Sequence, residues 1–161
     1  MLLAIITAII MIRMSRQAFA NKSSRKDRKD IVKLLTGHGI TPTQQRIVIA
    51  QEMLSKHQHL TADQLLQRVN AHSHTVSKAT VYNTLRLFTE KGLVKEVIVD
   101  AGKLFYDSNT RHHHHFYDVD SGSLHDIACE QLAIARLPEP PDALKIKEVA
   151  VIVRVSSKPG C

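Results

Sequence analysis

Cysteine is scarce in this 161-residue chain, which contains only Cys129 and Cys161. A disulfide framework needs several cysteines, and a cysteine-based zinc site usually needs a Cys-x-x-Cys pair, so the sequence offers neither. A chain so poor in cysteine fits a reducing compartment. We therefore expect a cytoplasmic protein.

Long hydrophobic runs are also lacking. Residues 1–11 are almost wholly apolar, but Arg13 follows, and a membrane span needs about 20 apolar residues. The run also lacks the basic start of a signal peptide. We interpret 1–29 as an N-terminal extension, with an alternative start at Met14 and a basic segment over 21–30. The alternative is a helix lying on a membrane surface; no membrane partner is expected.

The composition of the chain favours a folded protein with a polyanionic partner. Hydrophobic residues make up 43% and charged residues 23%, so a packed core is feasible. The formal net charge of +7 suits either nucleic acid or an anionic membrane surface. Charge alone does not decide between them.

Helix-start signals punctuate residues 30–92. Residues 41–44 (TPTQ) place Thr41 as the cap of a helix running to about Lys56. Thr61 begins a second capping pattern, and Ser77 caps a third helix that ends before Gly92. Three helices in this order indicate a helix-turn-helix.

The third helix has two contrasting faces when projected at about 100° per residue. The predicted buried face holds Val81, Thr84, Leu85 and Phe88, and the opposite face holds Ala79, Tyr82, Asn83 and Arg86. Asn83 can read adenine, and Arg86 can read guanine or hold phosphate. An ordinary polar surface helix is the alternative, but the basic charge and the preceding helices favour a DNA-reading helix.

Two β-rich runs follow, over 93–99 and 103–107, with a turn over 100–102. A helix-turn-helix followed by such a hairpin is a winged helix. The nearby cations Lys95, Lys103 and Arg111 are candidates for phosphate contacts.

Four consecutive histidines, His112 to His115, run into Phe116, Tyr117 and Asp118. The aromatics suggest a strand, in which successive side chains point to opposite faces. His113 and His115 would then share one face, and His112 and His114 the other. A metal site is one interpretation, and a solvated loop that binds metal only incidentally is the other.

The remainder of the chain predicts a second domain. We expect a hairpin over 114–119 and 123–127, a short helix over 130–136 and a long strand over 144–155. Apolar residues on both faces of the last strand imply that it is buried, partly by a second subunit. The resulting homodimer would bind an inverted repeat. The predicted fold class is α+β: a winged helix-turn-helix over 30–108, then a small α/β dimerisation domain over 109–161.

At residues 34–155 the sequence resembles the ferric-uptake-regulator family. The most specific match is residues 77–85 (SKATVYNTL), similar to the family's recognition helix, with support from residues 60–63 (LTAD) and the histidine run. The resemblance implies a metal-responsive repressor of iron or peroxide-stress genes that binds double-stranded DNA as a homodimer. Taken with the outward face of the third helix, it gives a predicted DNA-contacting set of Ser77, Lys78, Ala79, Thr80, Tyr82, Asn83 and Arg86.

The resemblance also implies a regulatory metal site where the two domains join, with the ligands His59, Asp107, His113, His115 and Asp126. Three imidazoles and two carboxylates suit Fe(II) or Mn(II) better than structural zinc. Aspartate in place of glutamate on the strands is similar to the peroxide-sensing branch, in which bound iron generates an oxidant that modifies a ligating histidine.

Two departures from the family pattern modify this expectation. Asp118 and Ser121 stand where family members commonly carry the Cys-x-x-Cys of a structural zinc site, so we expect no zinc of that form. The histidine run and residues 137–141 (LPEPP) are most similar to the iron-response-regulator branch, which answers to haem. His112 and His114 are therefore candidates for haem or a second metal, or an exposed pair with no role.

Other histidines and other protein classes explain less of the sequence. His57, His72 and His74 are expected at solvated helix ends. A metal-dependent hydrolase would need a nucleophile or base beside its ligands, and no such motif is present, so we expect no enzyme. A histidine-rich metal-buffering protein would not need the outward face of the third helix.

Overall fold

The computed structural model describes residues 27–71 and 76–157. The predicted N-terminal extension, except for its last three residues, lies outside the described residues, as do His72, His74 and Cys161. Within the described ranges, no helix has the length and apolar character needed to cross a membrane.

Four α-helices make up the N-terminal part of the described chain: α1 (Arg28–Gly37), α2 (Gln44–Met53), α3 (Ala62–Asn70) and α4 (Lys78–Glu90). The predicted caps of the last two are confirmed. Thr61 and Gln64 form a reciprocal capping box, and the Ser77 hydroxyl accepts from the backbone N–H of Thr80.

The predicted bounds of α2 are wrong at both ends. Its cap is Thr43, not Thr41, because the Thr43 hydroxyl accepts from the backbone N–H of Arg46 at 3.3 Å. The helix ends at Met53 rather than near Lys56, because the Gln58 side-chain amide donates to the carbonyls of Glu52 and Met53. Carbonyls that lack a partner at a helix end are thereby satisfied.

The helices enclose one apolar core, and α4 contributes its predicted face. Val81, Leu85 and Phe88 are fully buried and Thr84 nearly so. The four residues predicted to face outward, Ala79, Tyr82, Asn83 and Arg86, are all exposed. The two-sided interpretation of this helix is therefore confirmed.

A three-stranded antiparallel sheet, here called the wing sheet, lies against the helices. It has the order β1–β3–β2, with β1 at His59–Leu60, β2 at Lys95–Asp100 and β3 at Lys103–Asp107. The predicted hairpin is confirmed, and Gly102 turns the chain with a φ of 111°, a backbone conformation that favours glycine. The helices and this sheet form the winged helix.

A second three-stranded sheet, here called the distal sheet, has the order β5–β4–β6. Its strands are β4 (His114–Asp118), β5 (Leu124–Ile127) and β6 (Ile152–Val155), and β6 runs parallel to β4. The Asp118 carboxylate closes the β4–β5 hairpin by accepting from the Ser121 hydroxyl at 2.6 Å. This bond and two backbone N–H groups hold the pKa of Asp118 below its usual value.

Two predicted elements of the distal region are wrong. The helix expected over 130–136 is only a 3₁₀ turn at Cys129–Gln131, since a short helix without a packing partner is marginal in water. The strand expected over 144–155 is confined to Ile152–Val155, the residues paired with β4. The preceding Leu144 and Ile146 are 62% and 49% exposed rather than buried.

Truncating α4 at its buried face should destabilise the fold. Leu85 is fully buried, so Leu85→Ala should lower the free energy of unfolding by about 2–5 kcal/mol. Leu87→Ala makes the same change two residues further along α4, at a partly buried position. It should lower the free energy of unfolding by clearly less. Urea unfolding followed by circular dichroism measures both, and equal losses would contradict the described packing.

Candidate metal centre

Two cross-strand pairs, each of one histidine and one aspartate, face each other from the two sheets. The register of β1 and β3 places His59 opposite Asp107, and that of β4 and β5 places His115 opposite Asp126. Directly opposed residues of an antiparallel pair have Cβ atoms about 4.5–5.5 Å apart. Each sheet therefore presents an imidazole and a carboxylate together, and His113, just before β4, adds a third imidazole.

The five side chains converge on one point. The Nε2 atom of His59 lies 2.8 Å from Asp126 Oδ1, and that of His113 lies 2.9 Å from Asp107 Oδ2. His115 Nε2 is 3.5 Å from the same Asp107 oxygen. All five predicted ligand atoms lie within 4.8 Å of one another, so the structure brings together the whole set expected from the sequence.

Four atoms of the cluster are buried without a hydrogen-bond partner among the described residues: Nε2 of His59, His113 and His115, and Oδ2 of Asp107. Their short separations do not contradict this, because groups aimed at a common centre approach one another without the alignment that a hydrogen bond requires. Each unsatisfied buried polar atom costs about 1–3 kcal/mol. A cation at the centre would satisfy all four.

The donor set fits a divalent transition metal. Three imidazole nitrogens and two carboxylate oxygens match the mixed ligation of Fe(II) or Mn(II), and no sulfur is among the five. A cavity of about 640 Å³ opens onto Asp107, His113 and His115 between the wing sheet and the residues before β6. The cavity therefore adjoins three of the five side chains.

Asn109 orients both carboxylates and was not anticipated from the sequence. Its backbone N–H donates to Asp107 Oδ1 at 2.7 Å, and its side-chain amide donates to Asp126 Oδ2 at 3.0 Å. Each carboxylate thus has one oxygen held by Asn109 and the other directed into the cluster. The only sequence signal was an asparagine two residues after a ligand, a spacing typical of a side-chain-to-backbone turn.

His113 is also held in place by the chain around it. Its Nδ1 lies 2.9 Å from the Arg111 carbonyl. Because a carbonyl only accepts, Nδ1 is the donor in this contact, and Nε2 is the ring nitrogen directed at the cluster. Metal-binding histidines commonly have this outer contact.

Asp107 is the fully buried charge of the site. Burial on its own would raise the pKa of this carboxyl. The nearby imidazoles of His115 and His59 and the N–H of Asn109 lower the pKa by more than burial raises it. The pKa of Asp107 therefore lies well below its usual value, and the carboxylate is ionised at neutral pH.

The other two histidines of the run form a separate cluster with Cys129. His112, His114 and Cys129 place their ligand atoms within 4.8 Å of one another. His114 is buried, whereas the His112 side chain is 53% exposed and lies 4.0 Å from Glu148. Alternation along the strand therefore places the two histidine pairs in different clusters, as predicted. The structure also brings the sulfur of Cys129 to the second pair, a contact that the sequence did not suggest.

The predicted DNA-contacting residues surround the start and outer face of α4. Ser77 and Thr80 form the helix cap, with their hydroxyls 2.8 Å apart. Lys78 makes an ion pair with Asp63 at 2.9 Å, which raises the pKa of the lysine. Of the other candidate cations, Lys95 pairs with Glu148 at 3.1 Å.

Residues 37–151 match the model of the ferric uptake regulator family. The chain belongs to the ferric uptake regulator family. It is 36% identical over 94 residues to the peroxide-responsive repressor PerR of Staphylococcus aureus strain Mu50, a match covering 58% of this chain and 64% of that repressor. The chain thus spans less than two thirds of that relative's length.

Solved structures support the fold. The ferric uptake regulator of Vibrio cholerae superposes with a TM-score of 0.61 and 20% identity, covering 78% of this chain and 98% of that one. A Pseudomonas aeruginosa ferric uptake regulator described with manganese gives a TM-score of 0.59 and 22% identity, covering 78% and 96%. The α+β prediction is therefore confirmed.

Removing the buried charge should weaken metal binding. Asp107→Asn keeps the shape of the side chain but removes an anionic ligand, and outer contacts alone commonly contribute about 10–100-fold to metal affinity. We expect Mn²⁺ affinity, measured by titration calorimetry, to fall by at least that factor. Asp63→Asn, the same change on the exposed surface of α3, should leave it unaltered, and equal effects would contradict the assigned centre.

Proposed function

We propose that this chain is a cytoplasmic, metal-responsive repressor of iron or peroxide-stress genes that binds DNA as a homodimer. One observation carries the proposal: the five-ligand centre draws His59 and Asp107 from the wing sheet and the other three from the distal region. On this proposal, residues 30–108 are the DNA-binding domain and residues 109–161 the metal-binding dimerisation domain.

The ligands explain how metal would control the arrangement of the two parts. Asp107 and Asp126 bring two negative charges to one centre from opposite sheets. Bound Fe(II) or Mn(II) would supply the positive charge that offsets them. Because the complete ligand set exists only when the sheets face each other, binding favours that arrangement over any open one, which is a population shift.

The DNA-binding surface would be the outer side of α4. Tyr82, Asn83 and Arg86 are exposed there together with Ala79, and an asparagine and an arginine are the side chains that read adenine and guanine in the major groove. A second copy of the chain would supply the other half-site of an inverted repeat. Members of this family are transcription regulators, and we propose no catalytic role.

The names of two relatives support the proposal that the chain responds to peroxide and binds a divalent metal. The S. aureus relative is called peroxide-responsive, and the structure of the P. aeruginosa relative is described with manganese. Aspartate ligands at both strand positions of this chain agree with the peroxide interpretation that the sequence suggested.

Removing two of the candidate imidazole ligands should make DNA affinity independent of metal. DNA fragments are first selected from genomic DNA by the Mn²⁺-loaded wild type, and binding is then measured with and without Mn²⁺. The wild type should bind more tightly with metal, and the double variant His113→Ala/His115→Ala should bind equally in both conditions. Affinity should also fall steeply with salt, because phosphate contacts release counterions.

The matched control is His57→Ala/His125→Ala, which removes two imidazoles that are exposed and outside the centre. It should keep the metal response. A double variant at 113 and 115 that still responds would show that the switch lies elsewhere. If neither the metal-free nor the Mn²⁺-loaded wild type selects any duplex, the repressor proposal fails and the metal-buffering alternative is favoured.

A second candidate signal is haem or a second metal at His112 and His114. Two observations favour it: Cys129 Sγ adds a third ligand atom to the pair, and a cavity of about 610 Å³ adjoins His112. The cavity is lined by Leu137, Ile146 and Val149, by Lys147, and by the Lys95–Glu148 ion pair. The apolar part of this lining suits a flat hydrophobic ligand such as haem, and Lys147 offers a cation for one of its carboxylates.

Cobalt and haem titrations should distinguish the two ligands. If the cluster binds a metal through sulfur, Co²⁺ should produce a sulfur-to-cobalt charge-transfer absorption that Cys129→Ser abolishes and Cys161→Ser retains. If it binds haem, the Soret band should shift on titration, and His112→Ala should prevent the shift. A wild type that shows neither signal leaves the pair without a ligand-binding role.

A further inference from the structure

One face of β3 and one face of β4 extend beyond the metal centre and meet again further along. In a strand, residues two apart share a face. Asp107 therefore shares its face with Phe105 and Lys103, and His115 shares its face with Tyr117. The two strands belong to different sheets. Their second contact is between the rings of Phe105 and Tyr117, whose centroids are 6.4 Å apart.

The apolar part of this second contact is buried. Val99 and Phe105 of the wing sheet pack with Tyr117 and Leu124 of the distal sheet, and each is at most 7% exposed. This cluster is separate from the core enclosed by the helices. Its burial depends on the two sheets staying together, because each sheet supplies half of it.

Two cations from opposite sheets meet on Tyr117. Lys103 Nζ, from the wing sheet, donates to the Tyr117 hydroxyl at 2.8 Å and lies 5.1 Å from the ring centre. Arg154, from β6, lies 5.9 Å from the same ring centre. Ammonium and guanidinium groups at such distances are attracted to the face of an aromatic ring.

Arg154 also reaches across to the tip of the wing. Its Nη2 donates to the Val99 carbonyl at 2.6 Å, and its Nη1 lies 3.4 Å from Asp100 Oδ2. The pKa of Asp100 is lowered by the backbone N–H of Ala101 and by Arg154. The wing tip is therefore held by directed bonds as well as by apolar packing.

Gly122 of the β4–β5 turn lies next to the Lys103 ammonium group. A Cβ at this position would lie 2.5 Å from Lys103 Nζ, so a side chain there would require the flexible end of the lysine to shift.

We infer that Lys103, Tyr117 and Arg154, with the apolar cluster beneath them, form a latch that holds the wing against the distal sheet without metal. The inference rests on the proposed function, in which metal favours this same arrangement. The latch lowers the part of the closing free energy that the cation must supply. It thereby sets the metal concentration at which the chain responds, and it engages Lys103, a residue expected to contact DNA phosphate.

Loosening the latch should change two measurements without touching a metal ligand. In Lys103→Met/Arg154→Met, amide hydrogen exchange over residues 95–107 of the metal-free protein should accelerate relative to wild type. Mn²⁺ affinity should fall several-fold, because binding must then supply more of the closing free energy. Tyr117→Phe, which keeps the ring and removes only the hydroxyl, should shift both in the same direction by less.

The matched control is Lys91→Met/Arg136→Met, which makes the same two changes at exposed positions outside the latch. It should reproduce wild-type exchange and Mn²⁺ affinity. Unchanged exchange over 95–107 in both latch variants overturns the inference. The exchange measurement needs no metal, so a wild type that fails to bind Mn²⁺ would refute the proposed function while still testing the latch.

Discussion

The buried carboxylate of Asp107 is the constraint on which the centre depends. An ionised group removed from water is strongly unfavourable unless it is paired and hydrogen-bonded. One of its oxygens is satisfied by Asn109, and the other faces the Nε2 atoms of three imidazoles, which have no hydrogen-bond partner among the described residues. The site is therefore organised around a charge that the protein alone compensates incompletely, and this is the condition under which a cation contributes most.

Strand register connects the centre to the packing between the two sheets. His59 is held opposite Asp107, and His115 opposite Asp126, by backbone ladders that also determine where the neighbouring residues point. Because side chains alternate, the strands that carry Asp107 and His115 also carry Phe105 and Tyr117 on the same sides. The candidate metal ligands and the wing packing therefore belong to one continuous contact between the two sheets.

The distal sheet shows how the chain departs from the commoner family pattern. Where family members often carry a cysteine pair, Asp118 and Ser121 close the hairpin with a hydrogen bond. Further along the chain, Leu144 and Ile146, which precede the edge strand β6, remain exposed. On the proposed function, this apolar surface is where a second subunit would pack, because unburied apolar area of this kind favours association.

The sequence by itself determined the local features. Capping residues located α3 and α4, the 3.6-residue period separated the two faces of α4, and alternation divided the four histidines into pairs, since all of these depend on near neighbours. The resemblance to a family supplied the five candidate ligands. Only the tertiary structure decided the contacts between distant segments: the role of Asn109, the approach of Cys129 to His112 and His114, and the meeting of Lys103 with Tyr117. It also limited β6 to the residues that β4 can pair, because a strand exists only where a neighbour satisfies its backbone groups.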